Sequence, residues 1–264
     1  MDDFKMKLYH IPGCPYSERV EILLELKGLA HLVEDIEIDI TKPRPEWLLE
    51  KTRGSTALPV MDAPEGALKE SMVILRYLED RFPERAVKQR QPYYHAIESL
   101  LAMTDGAFSA ACYRMIRNKA PEQRATLLAG VDEQFKRIDS FLMDYNAHGV
   151  FLFEEFGWAE TVFTPLLKRF WFLEYYENYV IPPQLARVRR WRDACVSHRA
   201  TQGRTYEEII KLYYDYTQDS GGGKVPPGRT VSSFALTPHW SRRPMPPRDK
   251  WAGAATDAAL GLVS

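Results

Sequence analysis

The constraint that does most to narrow the fold lies in residues 7–82, where short strand-like and helix-like patterns alternate too quickly for an all-α or all-β arrangement. Residues 7–11 read as a strand. Pro15 to Lys27 reads as a helix, with Val20, Leu23, Leu24 and Lys27 on one side and Gly28 as the stop. Val33 to Ile40 sets Ile36, Ile38 and Ile40 in alternation with acids, the pattern of a half-buried strand. Pro45 to Thr52 reads as a short helix opened by proline and anchored by Trp47 and Leu48. Ala57 to Met61 reads as a strand, Pro64-Glu65-Gly66 as a turn, and Ala67 to Lys69 as the returning arm of a hairpin. Ser71 to Phe82 is helical, with Val73, Ile74, Tyr77 and Leu78 apolar and Pro83 closing it. The order is β-α-β-α-β-β-α. Its first βαβ unit takes a right-handed crossover between parallel strands, and the hairpin adds an antiparallel edge.

That order resembles the thioredoxin arrangement. From Pro92 to Tyr216 the pattern changes, and helical stretches follow one another at Tyr93–Ala111, Pro121–Tyr145, Ala159–Tyr176, Leu185–Ser197 and Thr205–Tyr216. From Gln218 periodicity is lost in Ser220-Gly-Gly-Gly-Lys224 and Arg242-Arg-Pro-Met-Pro-Pro-Arg248, while Trp240 and Trp251 imply that parts of this segment dock on the body. The expected class is α/β plus all-α: a thioredoxin-like domain over residues 1–84, a helical domain over 91–217 and an irregular extension over 218–264.

Within the first domain, Cys14 stands between a strand that ends in Pro12-Gly13 and a helix that opens with Pro15. Proline suits the first helical position, so Cys14 falls at the N-cap, beside unpaired backbone N–H groups and the positive end of the helix dipole. A helix N-terminus favours thiolate over thiol. Buried free cysteine is the commoner fate of this residue type, and it is the preceding strand and following proline that favour a reactive sulfur. The motif's fourth position is Ser17, so no second cysteine is at hand to resolve a mixed disulfide. Leu58-Pro59 reads either as an edge-strand proline or, bound cis, as a backbone turned outward beside Cys14 to pair with an extended peptide. Ser71 is a natural N-cap. With Glu70 it also makes a site for an amino-acid end group, the helix taking a carboxylate and the acid an ammonium.

Cys14-Pro-Tyr-Ser17, Arg44-Pro-Glu-Trp47, Leu58-Pro59-Val60 and Glu70-Ser71, in this order and spacing, resemble the omega class of glutathione transferases. Closer still is a resemblance to the bacterial glutathione lyases of lignin aryl-ether degradation, through Ile11-Pro-Gly-Cys-Pro15, Ile40-Thr-Lys-Pro-Arg-Pro45, Glu70 to Glu79, Leu212 to Gln218 and Arg243 to Trp251, and so into the C-terminal extension. The resemblance implies Cys14 as catalytic thiol and glutathione as co-substrate. Leu58 and Pro59 would hold its cysteinyl part, Glu70 and Ser71 its γ-glutamyl end, and Arg44 its glycyl carboxylate, though arginine replaces a lysine there and changes the geometry. It implies Tyr206, Tyr213 and Tyr216, with Tyr113 from the other wall, as contacts of an aromatic second substrate. Core packing is the plainer reading of the same tyrosines. A homodimer is implied through the helix after Ser71 and the Tyr93–Ala111 helix, with Met72 and Arg76 nearby. The family's usual Ser/Thr-x-x-Asp cap in the second domain is here Gly157-Trp-Ala-Glu160, a weakened version in which Glu160 can still bond back.

The activity so implied is removal of glutathione from an α-glutathionyl aryl ketone through a Cys14–glutathione mixed disulfide, giving ketone and oxidised glutathione. A general omega-type thiol transferase or dehydroascorbate reductase is the alternative, and a non-catalytic binding protein on the same fold is the alternative of another class. The formal net charge of −1 gives no argument for nucleic acid or an anionic membrane as partner. The aromatic stretch from Phe163 to Tyr179 is interrupted by Lys168, Arg169, Glu174 and Glu177, unlike a membrane span. Three widely spaced cysteines suit a reducing compartment, and residues 1–5 lack the apolar core of a signal peptide, so a cytoplasmic location is expected. None of the six histidines has metal-ligand spacing, and no metal is expected. Gly221-Gly-Gly-Lys224 lacks the strand and the following Ser or Thr of a phosphate loop.

Overall fold

The computed structural model describes residues 5–263, so the leader-free reading of the N-terminus falls, for residues 1–4, outside the described residues. Four strands, β1 (Met6–His10), β2 (Val33–Glu37), β3 (Val60–Ala63) and β4 (Gly66–Lys69), form one sheet in the order β2-β1-β3-β4. β1 and β2 are parallel, while β3 and β4 run antiparallel to their neighbours. This is the thioredoxin-like arrangement of the sequence reading. β3 begins at Val60, so Leu58-Pro59 lies just before the strand, not inside it.

Helix α1 (Pro15–Lys27) has Pro15 at its first position and ends at Gly28, whose φ of 67° is left-handed. The N–H of Leu29 reaches back to the carbonyl of Leu24 at 2.8 Å, the long bond of a Schellman stop. The short helix α2 (Glu46–Lys51) is anchored by Leu48 alone. Trp47 is 46% exposed and lies against the Tyr9 ring at 5.1 Å. α3 (Ser71–Arg81) starts one residue earlier than the capping argument requires: Glu70 holds the N-cap position and Ser71 is the first helical residue.

The helical domain comprises α4 (Pro92–Ala102), α5 (Asp105–Arg117), α6 (Arg124–Asn146), α7 (Trp158–Arg169), α8 (Trp171–Glu177), α9 (Ala186–Ser197) and α10 (Tyr206–Leu212). Two of the five expected helical stretches are divided, at Met103-Thr104 and at Phe170, and a third passes into a 3₁₀ turn at Tyr213. α7 is buried along its whole length and packs on α1, which joins the domains. The weakened cap holds. Glu160 accepts the Gly157 N–H at 3.0 Å, and its other oxygen accepts Leu152 N–H and Trp191 Nε1–H at 2.8 Å each. Val188, Trp191 and Cys195 form the expected buried stripe on α9.

The linker between the domains is held from both sides. Glu79 of α3 accepts the N–H groups of Val87 and Lys88, and Glu98 of α4 accepts that of Gln89. The extension, though irregular, is bonded into the body. Asp215 pairs with Arg229 at 2.6 Å and accepts Ser233 N–H at 2.7 Å. Lys250 Nζ donates to the carbonyls of Met115 and Ile116 at the end of α5 and pairs with Glu177. No helix among the described residues is long and apolar enough to cross a membrane.

Candidate active site

Cys14 sits at the N-cap of α1, with φ −69°, ψ 124° and a partly exposed side chain. Its N–H bonds to the Ile11 carbonyl at 3.0 Å, which fixes the turn out of β1. Cys112 and Cys195 are buried, and burial pushes both thiols up.

Beside Cys14, along the first turns of α1, lies a cavity of about 350 Å³ lined by Tyr16, Arg19, Leu58, Pro59, Glu70 and Ser71, with Ala57, Met72 and Asp105 completing it. The Leu58-Pro59 peptide is cis. Glu70 has φ 69°, left-handed and uncommon for a residue with a side chain. The buried Arg19 guanidinium donates to Asp105 Oδ2 at 2.7 Å and to the Val162 carbonyl at 2.9 Å. It reaches Ser71 Oγ at 3.4 Å and lies over the Tyr16 ring. The cavity therefore holds one guanidinium, two carboxylates and the N-terminus of α3, complementary to both ends of an α-amino acid. Arg44 does not line it. Its Nε donates to the Thr56 carbonyl at 3.2 Å, tying down the loop that leads to Leu58.

On the other side of Cys14, Tyr213 and Tyr216 stack at 5.1 Å with their planes 20° apart. The cause is the 3₁₀ turn over Tyr213–Gln218, where residues three apart eclipse. Tyr113 of α5 closes on both, its hydroxyl donating to Tyr213 Oη at 3.2 Å. Tyr213 donates to the Gly13 carbonyl at 3.0 Å, so its hydroxyl supports the turn before Cys14. Burial raises the Tyr213 pKa. Arg169 opposes that rise, and the proximity of Cys14 adds to it. Burial likewise raises Tyr216, helped by Tyr213 and opposed by the backbone N–H of Gly222, which faces its hydroxyl. Tyr206 is not brought into this group. It is two helical turns back on α10 and packs on Trp171 and Tyr175.

Several residues at the site carry no motif signal. Glu18 is buried in the first turn of α1 and pairs with Lys168 at 2.6 Å and with Arg169. Arg169 also donates to the Gly13 carbonyl. Burial pushes the Glu18 carboxyl up, but Arg169 and Lys168 together outweigh it and hold it below the ordinary range. Phe172 stacks on Tyr213, and Phe234 of the extension packs edge-on against both stacked tyrosines. The signal that existed was charge inside an apolar stretch, at Lys168 and Arg169. Phe234 offered none.

Residues 8–86 match the family described as the glutathione S-transferase, N-terminal domain. Mouse glutathione S-transferase omega-1 is 24% identical over 216 residues, covering 79% of this chain and 86% of the mouse protein. The chain is homologous to the omega-like glutathione transferases. That homology supports enzymatic activity of the glutathione-transferase type, and it is broad, with nothing that points to the lignin lyases in particular. The fold agrees. Glutathione transferase Omega 3C from Trametes versicolor superposes with a TM-score of 0.67 at 21% identity, over 82% of this chain and 91% of that one. Chlamydomonas reinhardtii dehydroascorbate reductase superposes with a TM-score of 0.63 at 21% identity, over 81% of this chain and 100% of that one. Among the described residues no group of three or more His, Cys, Asp or Glu is arranged to hold a metal ion.

Proposed function

We propose that the chain is a glutathione-dependent thiol transferase of the omega and dehydroascorbate-reductase kind, with Cys14 as nucleophile. The observation that carries this reading is a partly exposed cysteine at the N-terminus of α1, beside a cavity suited to an amino-acid end group. The γ-glutamyl carboxylate meets Ser71 and the first turn of α3. Its ammonium meets Glu70 and Asp105, and the cysteinyl backbone lies along Leu58-Pro59. Arg44 acts on that backbone through Thr56. The Cys14 thiolate attacks the glutathione sulfur of a mixed disulfide, and the partner thiolate leaves. A second glutathione thiolate attacks the Cys14 adduct, giving oxidised glutathione and restoring the Cys14 thiolate. Cys14→Ser is expected to abolish thiol transfer while glutathione still binds. Mass spectrometry of the wild type with substrate alone should show one glutathione on Cys14. Near-normal turnover by the variant would exclude this chemistry.

A second reading, removal of glutathione from an α-glutathionyl aryl ketone, was the first implication of the sequence. The broad homology favours the general reading over it. What speaks for it is the aromatic group of Tyr113, Tyr213, Tyr216, Phe172 and Phe234 beside Cys14. In that reaction Cys14 attacks the glutathione sulfur, the C–S bond breaks, and the carbon departs as an enolate that is then protonated. Tyr216 is better suited than Tyr213 to meet the enolate oxygen, because Tyr213 already donates to Gly13. Tyr216→Phe should cost on the order of 10² to 10³ in kcat on a ketone thioether and spare reduction of a simple mixed disulfide. Equal effects on both substrates would remove this reading.

A further inference from the structure

The extension leaves the Tyr213–Gln218 turn through Asp219 and at once runs through Ser220, three glycines and Lys224. Two of these glycines touch different domains. A Cβ on Gly221 would overlap the Tyr216 ring, and a Cβ on Gly223 would overlap the Ile40 carbonyl oxygen. Gly223 also has φ 85°, where a side chain is strained. Ile40 continues the stretch that bonds to the end of β1. The Ile38 N–H bonds to the His10 carbonyl at 2.7 Å, so residues 38–40 run on beside the chain that leads from β1 to Cys14. The receiving loop is stiffened by Asp39, which accepts both the N–H and the hydroxyl of Thr41. Segment 220–224 thus passes from Tyr216, whose hydroxyl pKa is raised in part by the nearby Cys14, to Ile40 of the thioredoxin-like domain.

The segment is fastened where it begins, and the chain is fastened again beyond it at Arg229. Arg117 Nε pairs with Asp219 at 2.8 Å, and the Ser220 N–H bonds to the Asp215 carbonyl at 3.0 Å. Beyond it, Arg229 is held by Asp215 and by Asp257. A connector that only had to reach the tail's docking site would have no need to lie flat on both domains. Close backbone approach at two separate points is what glycine supplies.

We propose that residues 220–224 form a strap across the cleft at Cys14, and that Gly221 and Gly223 are specificity-determining residues which admit narrow, small-molecule glutathione adducts and exclude glutathionylated proteins. The substrate part of this proposal rests on the thiol-transfer reading above. In that reaction the S–S bond of the adduct breaks, and its electron pair leaves on the partner thiolate, which must point out of the cleft. A small thiolate fits beside the strap. A protein thiolate brings its own convex surface, which meets the strap before the sulfurs can meet.

The test has two arms. In the first, Cys14 is alkylated with a small maleimide and with a polyethylene-glycol maleimide of several kilodaltons; Cys112 and Cys195 are buried and do not compete. This arm needs no enzymatic activity. The wild type should react much faster with the small reagent. Gly223→Ala, which forces the strap off the Ile40 carbonyl, should narrow that ratio by about tenfold or more, the scale on which steric exclusion discriminates. Gly221→Ala should act in the same direction from the Tyr216 side, so the idea does not depend on one variant folding. Gly253→Ala, where a Cβ meets nothing, should leave the ratio unchanged. In the second arm, kcat/KM is compared for the mixed disulfide of glutathione with 2-mercaptoethanol and for a glutathionylated protein. The preference for the small substrate should fall in both glycine variants. A purely structural role would lower the two rates together and leave their ratio fixed. Unchanged ratios in folded Gly221→Ala and Gly223→Ala would overturn the strap. A changed alkylation ratio in a protein that turns over no glutathione disulfide would uphold the strap and remove the thiol-transfer reading.

Discussion

Glu18→Gln is the sharpest test of how the Cys14 turn is held. The side chain keeps its shape and loses its charge. In the wild type one buried carboxylate serves two buried cations, Lys168 and Arg169, and none of the three side chains is more than 3% exposed. Were hydrogen bonding all that mattered, glutamine would retain most of it and the cost would stay near 1 kcal/mol. Removing the only carboxylate from a buried ionic group leaves uncompensated charge instead, at about 3–5 kcal/mol. Against a total stability of about 5–15 kcal/mol, that is a large fraction, equivalent to a fall in Tm of roughly 6–20 °C for a chain of this size. Urea unfolding at neutral pH measures it. The pH dependence supplies a second check. The Glu18 carboxyl titrates lower in the folded protein than its ordinary value of 4.5, so its contribution is present above that pH and is lost as pH falls through the folded value. The gap between wild type and variant should therefore be flat across neutral pH and close only in acid. A cost below about 1 kcal/mol, or a gap that closes between pH 7 and 6, would refute the reasoning.

Glu98 predicts the opposite slope. Burial, opposed by the Gln89 N–H and reinforced by Glu160, pushes its carboxyl up to about 8, while burial lowers His95, its partner at 2.8 Å. Because the folded value lies above the unfolded one, stability is present below pH 4.5 and is lost as pH rises towards 8. Glu98→Gln should flatten that loss in thermal melts between pH 5 and 8, and parallel curves for the two proteins would contradict it. Lys250→Met should cost about 1–3 kcal/mol, since it takes one of two cationic partners from the buried Glu177, which keeps Arg124, and leaves the last carbonyls of α5 without their donor, and should speed proteolysis within residues 219–263. A cost under about 1 kcal/mol would mean that the extension merely rests on the surface.

The early part of the fold was legible because it is written in local signals. Pro15, Gly28 and the Pro64-Glu65-Gly66 turn each specify an element through the backbone, whereas β2 ends at Glu37 and holds only Ile36 of the three alternating isoleucines, so the expected strand over Val33 to Ile40 is shorter than the pattern. The helical domain was legible as helix but not as separate helices, since the breaks at Met103-Thr104 and Phe170 carry neither proline nor glycine. Lys168, Arg169, Glu174 and Glu177 were read only as obstacles to a membrane span, yet each is now seen in an ion pair whose partner is distant in sequence: Glu18, Arg192, Arg124 and Lys250. No periodicity reports such pairings. The separation of Tyr206 from Tyr213 and Tyr216 escaped for a related reason. Steps of seven and three share a helical face, but only the step of three, tightened by the 3₁₀ turn, brings the rings together. Phe234 could not be read at all, because it lies in a segment whose order comes entirely from what it touches.

The bonded linker bears on how ligands come and go. Parting the two domains at residues 87–89 would pull three amides from Glu79 and Glu98, at about 1–3 kcal/mol for each buried group left without a partner. It would also have to separate α1 from α7, across which Arg19 donates to the Val162 carbonyl. A hinge in this position would have to break all of these together. Breathing of the cleft therefore falls to its small parts, the turn at residues 39–42 and the glycine segment that rests on it. Motions of that size belong to the nanosecond-to-microsecond range of loops and not to the slower swing of whole domains. Release of oxidised glutathione, the bulkiest species in the proposed cycle, would then be timed by the lifting of a few residues from a carbonyl oxygen and an aromatic ring.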